Sequence, residues 1–267
     1  MLEEYRGYIK LDDNQAAKFY SKQQIDEPLY ENEYIIIGDD VYCYQNGFFR
    51  RVDFPVIDNA WSGTLKPRNI EQKAAMDMVL DEKSAVKLIT GTWGTGKTLI
   101  LVTAALKAIE EGRFDKIVWI RNNVQVKDSD ALGALPGSEL EKMIPYVMPM
   151  ADHCGGIDGI ERLIDRGTLE VIPLGFLRGR SIRNAVIISS EAENLTKEHI
   201  QLLMGRVDEG SNLWLDADVR QRDRVNFEKS KGIETMIERL AGEELFAYVH
   251  LIKSERSATA ALADKLN

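Results

Sequence analysis

The stretch Gly91-Thr92-Trp93-Gly94-Thr95-Gly96-Lys97-Thr98 has the spacing G-x-x-x-x-G-K-T, which suits polyphosphate chemistry. Its glycines let backbone N–H groups converge on phosphate oxygens. Lys97 can reach the β- and γ-phosphates, and the Thr98 hydroxyl can hold Mg²⁺. Chemically able side chains recur at the ends of later apolar runs: Arg121, Glu191 and Glu193, Asp216 and Asp218, Gln221, and Arg256. A carboxylate placed there can hold Mg²⁺ through water or polarise an attacking water. A glutamine can orient that water or sense the γ-phosphate. An arginine, in cis or from a neighbouring subunit, can neutralise charge on the transferred phosphoryl group. Together with the glycine-rich turn, these groups point to hydrolysis of a nucleoside triphosphate. Gln72, at the start of a helical run, carries an amide that both donates and accepts, as reading adenine requires.

These side chains need elements to position them. Ala85–Thr90 is an apolar run of strand length, and the residues after Thr98 form a helix with Leu99, Val102, Leu106 and Ile109 on one face and Gly112 as its stop. That strand–turn–helix context is the one in which the glycine pattern acts as a P-loop. Lys116–Ile120, Thr168–Ile172, Ala185–Ser189, Asn212–Leu215 and Phe246–Ile252 read as further strands. Lys73–Leu80, Lys197–Arg206 capped by Thr196, and Gly232–Leu240 read as helices, with another helix after Ser257. Glu139–Met143 opens a helix that meets Pro145 and Pro149, and Gly155, Gly156 and Gly159 mark a flexible connection. Strands alternating with helices predict an α/β fold with a mostly parallel sheet, ligands sitting at the carboxyl ends of its strands.

Two regions are expected: residues 1–60, small and β-rich, and residues 67–267, the P-loop domain. In the first, a short helix is expected near Asp13–Ser21. Glu33–Ile37, Val41–Tyr44 and Phe48–Val52 form an antiparallel meander with a hairpin at Asn46-Gly47. Tyr42, Tyr44, Phe48 and Phe49 either form its core and docking face or stack on bases. Asp53–Lys66 reads as a linker.

The formal net charge of −9 disfavours a broad basic surface for nucleic acid. Local clusters remain at Arg178, Arg180 and Arg183, and at Arg220, Arg222 and Arg224. No stretch approaches a membrane span of roughly 20 apolar residues. The N-terminal Met-Leu-Glu-Glu-Tyr-Arg lacks a signal peptide's apolar core. With only Cys43 and Cys154, neither in a metal-ligand spacing, a reduced cytoplasmic setting is expected.

From Gln72 onward the chain closely resembles the PhoH family of P-loop ATPases, especially its bacteriophage members. The resemblance rests on Gly91–Thr98, Leu135-Pro-Gly137 with Glu141-Lys-Met143 and Pro145, and Pro173-Leu-Gly-Phe-Leu-Arg-Gly-Arg180. Glu191-Ala192 with Asn194, and Glu255-Arg-Ser257, add to it. It implies a RecA-like core related to superfamily 1 helicases, use of ATP and Mg²⁺, and action on RNA or single-stranded DNA. It also implies a homo-oligomeric ring, a hexamer, in the cytoplasm, or in the host cytoplasm if phage-encoded.

By the same resemblance, Gln72 matches the adenine-reading glutamine and Glu191 the Walker B glutamate. Asp218 and Gln221 match a Gly-Asp-x-x-Gln motif, and Arg256 a late arginine. Lys97, Glu191, Gln221 and Arg256 form the implied catalytic set, and Thr98, Glu191 and Asp218 face the metal. Two departures stand out. The family's Asp-Glu-Ala-Gln-Asn reads Ser190-Glu191-Ala192-Glu193-Asn194, and the glycine before Asp218 is Ala217. Ser190 carries no charge and is a poorer Mg²⁺ anchor than aspartate, so slow hydrolysis is expected, improved by Ser190→Asp.

Overall fold

The computed structural model describes residues 5–121, 139–218 and 231–255. The chain opens with β1 (Tyr8–Lys10), α1 (Asp13–Lys22), β2 (Glu33–Ile37), β3 (Asp40–Gln45) and β4 (Phe48–Arg51). β2, β3 and β4 form the expected antiparallel meander, and β1 adds to its edge in parallel. Asn46 and Gly47 both have positive φ, 52° and 80°, as a tight hairpin turn requires. Phe19 of α1 meets Tyr42 and Phe49 edge-on, with ring centroids 4.9 and 5.0 Å away, so these aromatics dock α1 onto the sheet.

The stretch expected to be a linker instead carries a second hairpin, β5 (Ile57–Asn59) and β6 (Gly63–Leu65). The Asn59 amide donates to the Thr103 carbonyl, which fastens the hairpin to the P-loop helix. Its strands are too short to show alternation, which is why the pattern reads as a loop.

Next come α2 (Ile70–Leu80), β7 (Val86–Gly91), α3 (Lys97–Glu110), β8 (Lys116–Arg121), α4 (Glu139–Ala151), α5 (Ile157–Asp165) and β9 (Leu169–Pro173). β10 (Ala185–Ser189), α6 (Lys197–Met204), β11 (Asn212–Ala217), α7 (Gly232–Leu240) and β12 (Phe246–Leu251) complete the described elements. Six strands form one sheet in the order β12-β7-β11-β10-β8-β9, every neighbouring pair parallel. The sheet's pleat sends alternate residues to opposite faces. Ile89, Trp119, Val186, Ile188 and Trp214 join the core under α2, α3, α4 and α5. Leu88, Val118, Ile187, Leu213 and Leu215 join the core under α6 and α7.

Two elements depart from the sequence reading. α4 runs through Pro145 and Pro149, and the buried Val147, Met150 and Ala151 seat it on the sheet. Of the glycines expected to mark a flexible connection, Gly155 and Gly156 do form the turn before α5, with φ 82° and 79°, whereas Gly159 lies within α5, so close to the Cys154 carbonyl that a Cβ would lie 1.7 Å from its oxygen. Glycine there serves packing, not flexibility.

The N-terminal sheet packs on the helices beside the P-loop. Tyr34, Ile36, Val41 and Cys43 share one core with α2 and α3. Arg50 pairs with Asp77 of α2 through both guanidinium nitrogens, at 2.9 and 2.7 Å, and the Tyr34 hydroxyl donates to the same carboxylate at 2.8 Å. No described helix is long and apolar enough to cross a membrane.

Candidate functional site

The P-loop leaves β7 at Gly91 and enters α3 at Lys97, on the carboxyl edge of the sheet. Gly96, which caps α3 with φ 91°, adopts a backbone conformation that side chains disfavour. The first N–H groups of α3 therefore end without a side-chain cap, available to an anion. Lys97 folds back over the loop and donates to the carbonyls of Gly91 at 2.8 Å and Thr92 at 3.0 Å. The Thr95 hydroxyl donates to the Thr92 carbonyl at 2.8 Å and stiffens the turn.

Gln72 is brought to the loop by α2, which Asn69 caps through the Gln72 N–H. Its carbonyl accepts from the Arg68 N–H, and its amide donates to the Thr95 carbonyl, both at 2.9 Å. On the other flank, Glu255 donates its N–H to the Gly94 carbonyl at 2.9 Å, and its carboxylate accepts from Asn69 at 2.8 Å. The loop is thus clamped between the start of α2 and the chain leaving β12.

The acidic groups gather one strand over. β11 runs two residues further than the sequence pattern suggests and carries Asp216 inside the strand, 2% exposed. Pleat alternation puts Asp216 on the face of Trp214, toward α3. Its carboxylate accepts from the Thr98 hydroxyl at 3.0 Å, from the Ser190 hydroxyl at 3.0 and 3.1 Å, and from the Glu191 N–H at 3.1 Å. Burial pushes the Asp216 carboxyl above its ordinary range, against those hydrogen bonds and the nearby Lys97 charge.

Glu191 follows in the left-handed conformation, φ 55°, a costly turn for a residue with a side chain. Its side chain is exposed at the mouth of the site. Partial desolvation, and then the Asp216 charge, hold its carboxyl above the ordinary range. Glu193 is buried and accepts from the Asp218 N–H at 3.0 Å, and burial pushes it up to about 7. On the far side of β7, the Thr90 hydroxyl lies 2.9 Å from the Tyr248 hydroxyl and 2.8 Å from His250 Nδ1.

The structure therefore brings together Gln72, the loop from Gly91 to Thr98, Glu191 and Asp216. Asp218 follows in the chain and gives its backbone N–H to Glu193, and it is the Asp216 carboxylate that meets the Thr98 hydroxyl. The sequence placed Asp216 among the strand-end groups but not in the metal-facing set, because that set came from the family resemblance, which matched Asp218 to the Gly-Asp-x-x-Gln motif. Gln221, Arg256, the arginines at 220, 222 and 224, Leu135-Pro-Gly137 and the helix expected after Ser257 lie outside the described residues. In the other arginine cluster, Arg180 pairs with Glu170 and Arg183 with Asp208, both at 2.8 Å, which fits the surface-charge reading. Among the described residues, no three His, Cys, Asp or Glu side chains group as a metal cage.

The site is a strand–P-loop–helix unit with acidic groups on the neighbouring strands, and comparison gives it a family. The family model described as PhoH-like protein matches residues 64–263. This chain belongs to the PhoH family. Protein PhoH2 of Mycolicibacterium smegmatis is 36% identical over 205 residues, covering 76% of this chain and 47% of that protein. Protein PhoH2 of Bacillus subtilis is 32% identical over 293 residues, covering 99% of this chain and 64% of its own length. The PhoH-like protein of Bacillus subtilis is 35% identical over 168 residues, covering 62% of this chain and 52% of that one. This PhoH chain thus spans about half to two thirds of those relatives. They are bacterial, and the bacteriophage origin expected from the sequence is not supported. Among solved structures, the Pif1 helicase from Candida albicans aligns with a TM-score of 0.39 and 17% identity, covering 76% of this chain and 44% of that one. The fold is α/β, with the P-loop leaving one strand of a six-stranded parallel sheet.

Proposed function

We propose that this chain binds ATP with Mg²⁺ at the P-loop and hydrolyses it, and that a ring of copies, a hexamer, uses hydrolysis to remodel RNA or single-stranded DNA. The observation that carries the reading is the convergence of Lys97, Thr98, Asp216 and Glu191 at the carboxyl ends of β7, β10 and β11. The residues fit Mg²⁺. The Thr98 hydroxyl donates its hydrogen bond to Asp216, which leaves its lone pairs for a cation, and Mg²⁺ takes few protein oxygens beside phosphate and water. Bound there, it would neutralise charge on the β- and γ-phosphates.

Lys97 exchanges its two carbonyl acceptors for phosphate oxygens, and the loop and α3 N–H groups hold the rest of the polyphosphate. Gln72 would exchange its Arg68 and Thr95 contacts for the adenine, a role that rests on the family resemblance. A water oxygen bonds to the γ-phosphorus as the bond to the β–γ bridging oxygen breaks, ADP leaves, and Glu191 takes up the water's proton. Its raised pKa suits a general base. Gln221 orients that water and Arg256 stabilises the transferring phosphoryl group, two roles that rest on the family resemblance.

Steady-state phosphate release, with and without single-stranded RNA, tests the proposal. Mg²⁺-dependent release stimulated by RNA is expected, and no release under any condition would overturn it. The neutral Ser190 favours a second reading, a nucleotide-binding regulatory or assembly protein that hydrolyses slowly or not at all. Tight ATP binding without release selects that reading.

A further inference from the structure

We infer that Asp216 of β11 has taken over the Mg²⁺-anchoring role that the resemblance assigned to the end of β10, with Ser190 serving as its hydrogen-bond donor. The inference rests on the P-loop reading above. β10 and β11 pair in parallel with Ser189 opposite Leu215, so Ser190 and Asp216 are the next pair along. Both fall on the α3 face by alternation, Ser190 after Val186 and Ile188, Asp216 after Trp214. β11 lies directly between β10 and the P-loop strand, so a carboxylate on it reaches Thr98 without an intermediary.

An anchoring carboxylate must do two things: draw the proton of the P-loop hydroxyl away from the cation, and offer a further lone pair to a water on that cation. Asp216 does the first at 3.0 Å. Thr98 donates to one Asp216 oxygen, the Glu191 N–H to the other, and the Ser190 hydroxyl lies 3.0 and 3.1 Å from both. Ser190 has one proton to give, so it can settle on either oxygen and leave one of the carboxylate's roughly four acceptor positions to a cation-bound water. Ser190 is then no weakened anchor. Its hydroxyl is a donor where a second carboxylate would face Asp216 across a hydrogen-bond distance, and like charges so close cannot both ionise.

This reverses the sequence-based expectation for Ser190→Asp. The single substitution should harm Mg²⁺-dependent binding, and the exchange Ser190→Asp with Asp216→Ser should restore it. The probe is N-methylanthraniloyl-ADP, titrated by fluorescence in Mg²⁺ and in EDTA, with thermal melting as the check on folding. Wild type is expected to bind about tenfold or more tightly in Mg²⁺ than in EDTA. Asp216→Asn and Ser190→Asp each lose that enhancement while affinity in EDTA stays within about twofold, and the exchanged double variant regains it.

If Asp216→Asn keeps the enhancement, or Ser190→Asp alone increases it, the inference is overturned. Should Asp216→Asn fail to fold, Ser190→Asp alone decides. Failure of the P-loop reading looks different: Lys97→Ala would then bind the probe like wild type even in EDTA, and the anchor would fall with the site.

Discussion

The hydroxyl, carboxylate and amide groups around Asp216 set what each neighbour can do. Glu191 is the exposed carboxyl of the set, next to the position of the γ-phosphate in the proposed complex, so Glu191→Gln should keep ATP binding and lose turnover by about a hundredfold or more. Single-turnover hydrolysis beside equilibrium binding checks this; a parallel loss of both would remove Glu191 from the chemistry. Glu193 gives a pH signature. Its folded-state pKa of about 7 lies above the ordinary 4.5, so the folded protein keeps this proton where the unfolded chain releases it. Its contribution therefore falls as pH rises from 4.5 to about 7 and stays lower above that. Glu193→Gln keeps an acceptor for the Asp218 N–H and removes the fall. The variant should match wild type below pH 4.5 and exceed it by about 1–3 kcal/mol at alkaline pH, as chemical denaturation across that range would read. At this scale the sequence was legible where a residue works through its own local motif, as Lys97 and Thr98 do. Asp216 was less so, because its role depends on which residue of the neighbouring strand lies beside it.

Elements were legible where alternation or helical periodicity ran long enough. The strands carrying the site and the helices Lys97–Glu110, Lys197–Met204 and Gly232–Leu240 appear close to their expected limits. The end of β11 did not, since Asp216 and Asp218 look like a solvated turn and only the buried face of α3 makes the first of them a strand residue. β5, β6 and α5 were hidden by glycine and by shortness. Gly159 tests the packing account of α5. Its replacement by alanine drives a Cβ into the Cys154 carbonyl, 1.7 Å away, and should cost about 1–3 kcal/mol. A shifted urea midpoint is the readout, and an unchanged midpoint would mean that the connection yields as the sequence suggested.

The whole molecule is one continuous core on the α2 and α3 side of the sheet, reaching into the N-terminal strands. Removing residues 1–60 would strip cover from α2 and α3 and leave Asp77 without Arg50 and Tyr34. The shortened chain should therefore aggregate or melt well below wild type, although the family match begins only at residue 64. A soluble, two-state truncation with unchanged melting would show that residues 67–267 fold without the N-terminal region. The proposed ring has its own test: mixing Arg256→Ala with Lys97→Ala subunits should return part of the activity if the arginine acts on a neighbour's nucleotide, and no return in confirmed mixed oligomers would place it in cis or outside the reaction.

In the proposed complex, Mg²⁺ and ATP meet at the loop between β7 and α3. Isothermal titration of ATP in Mg²⁺ into wild type and Lys97→Ala tests this. One site per chain is expected in wild type, with affinity weaker by about a hundredfold in a variant that melts like wild type, because the half-buried Lys97 bonds to loop carbonyls and belongs to neither core. Equal affinity in a folded Lys97→Ala, or no heat of binding in wild type, would contradict it.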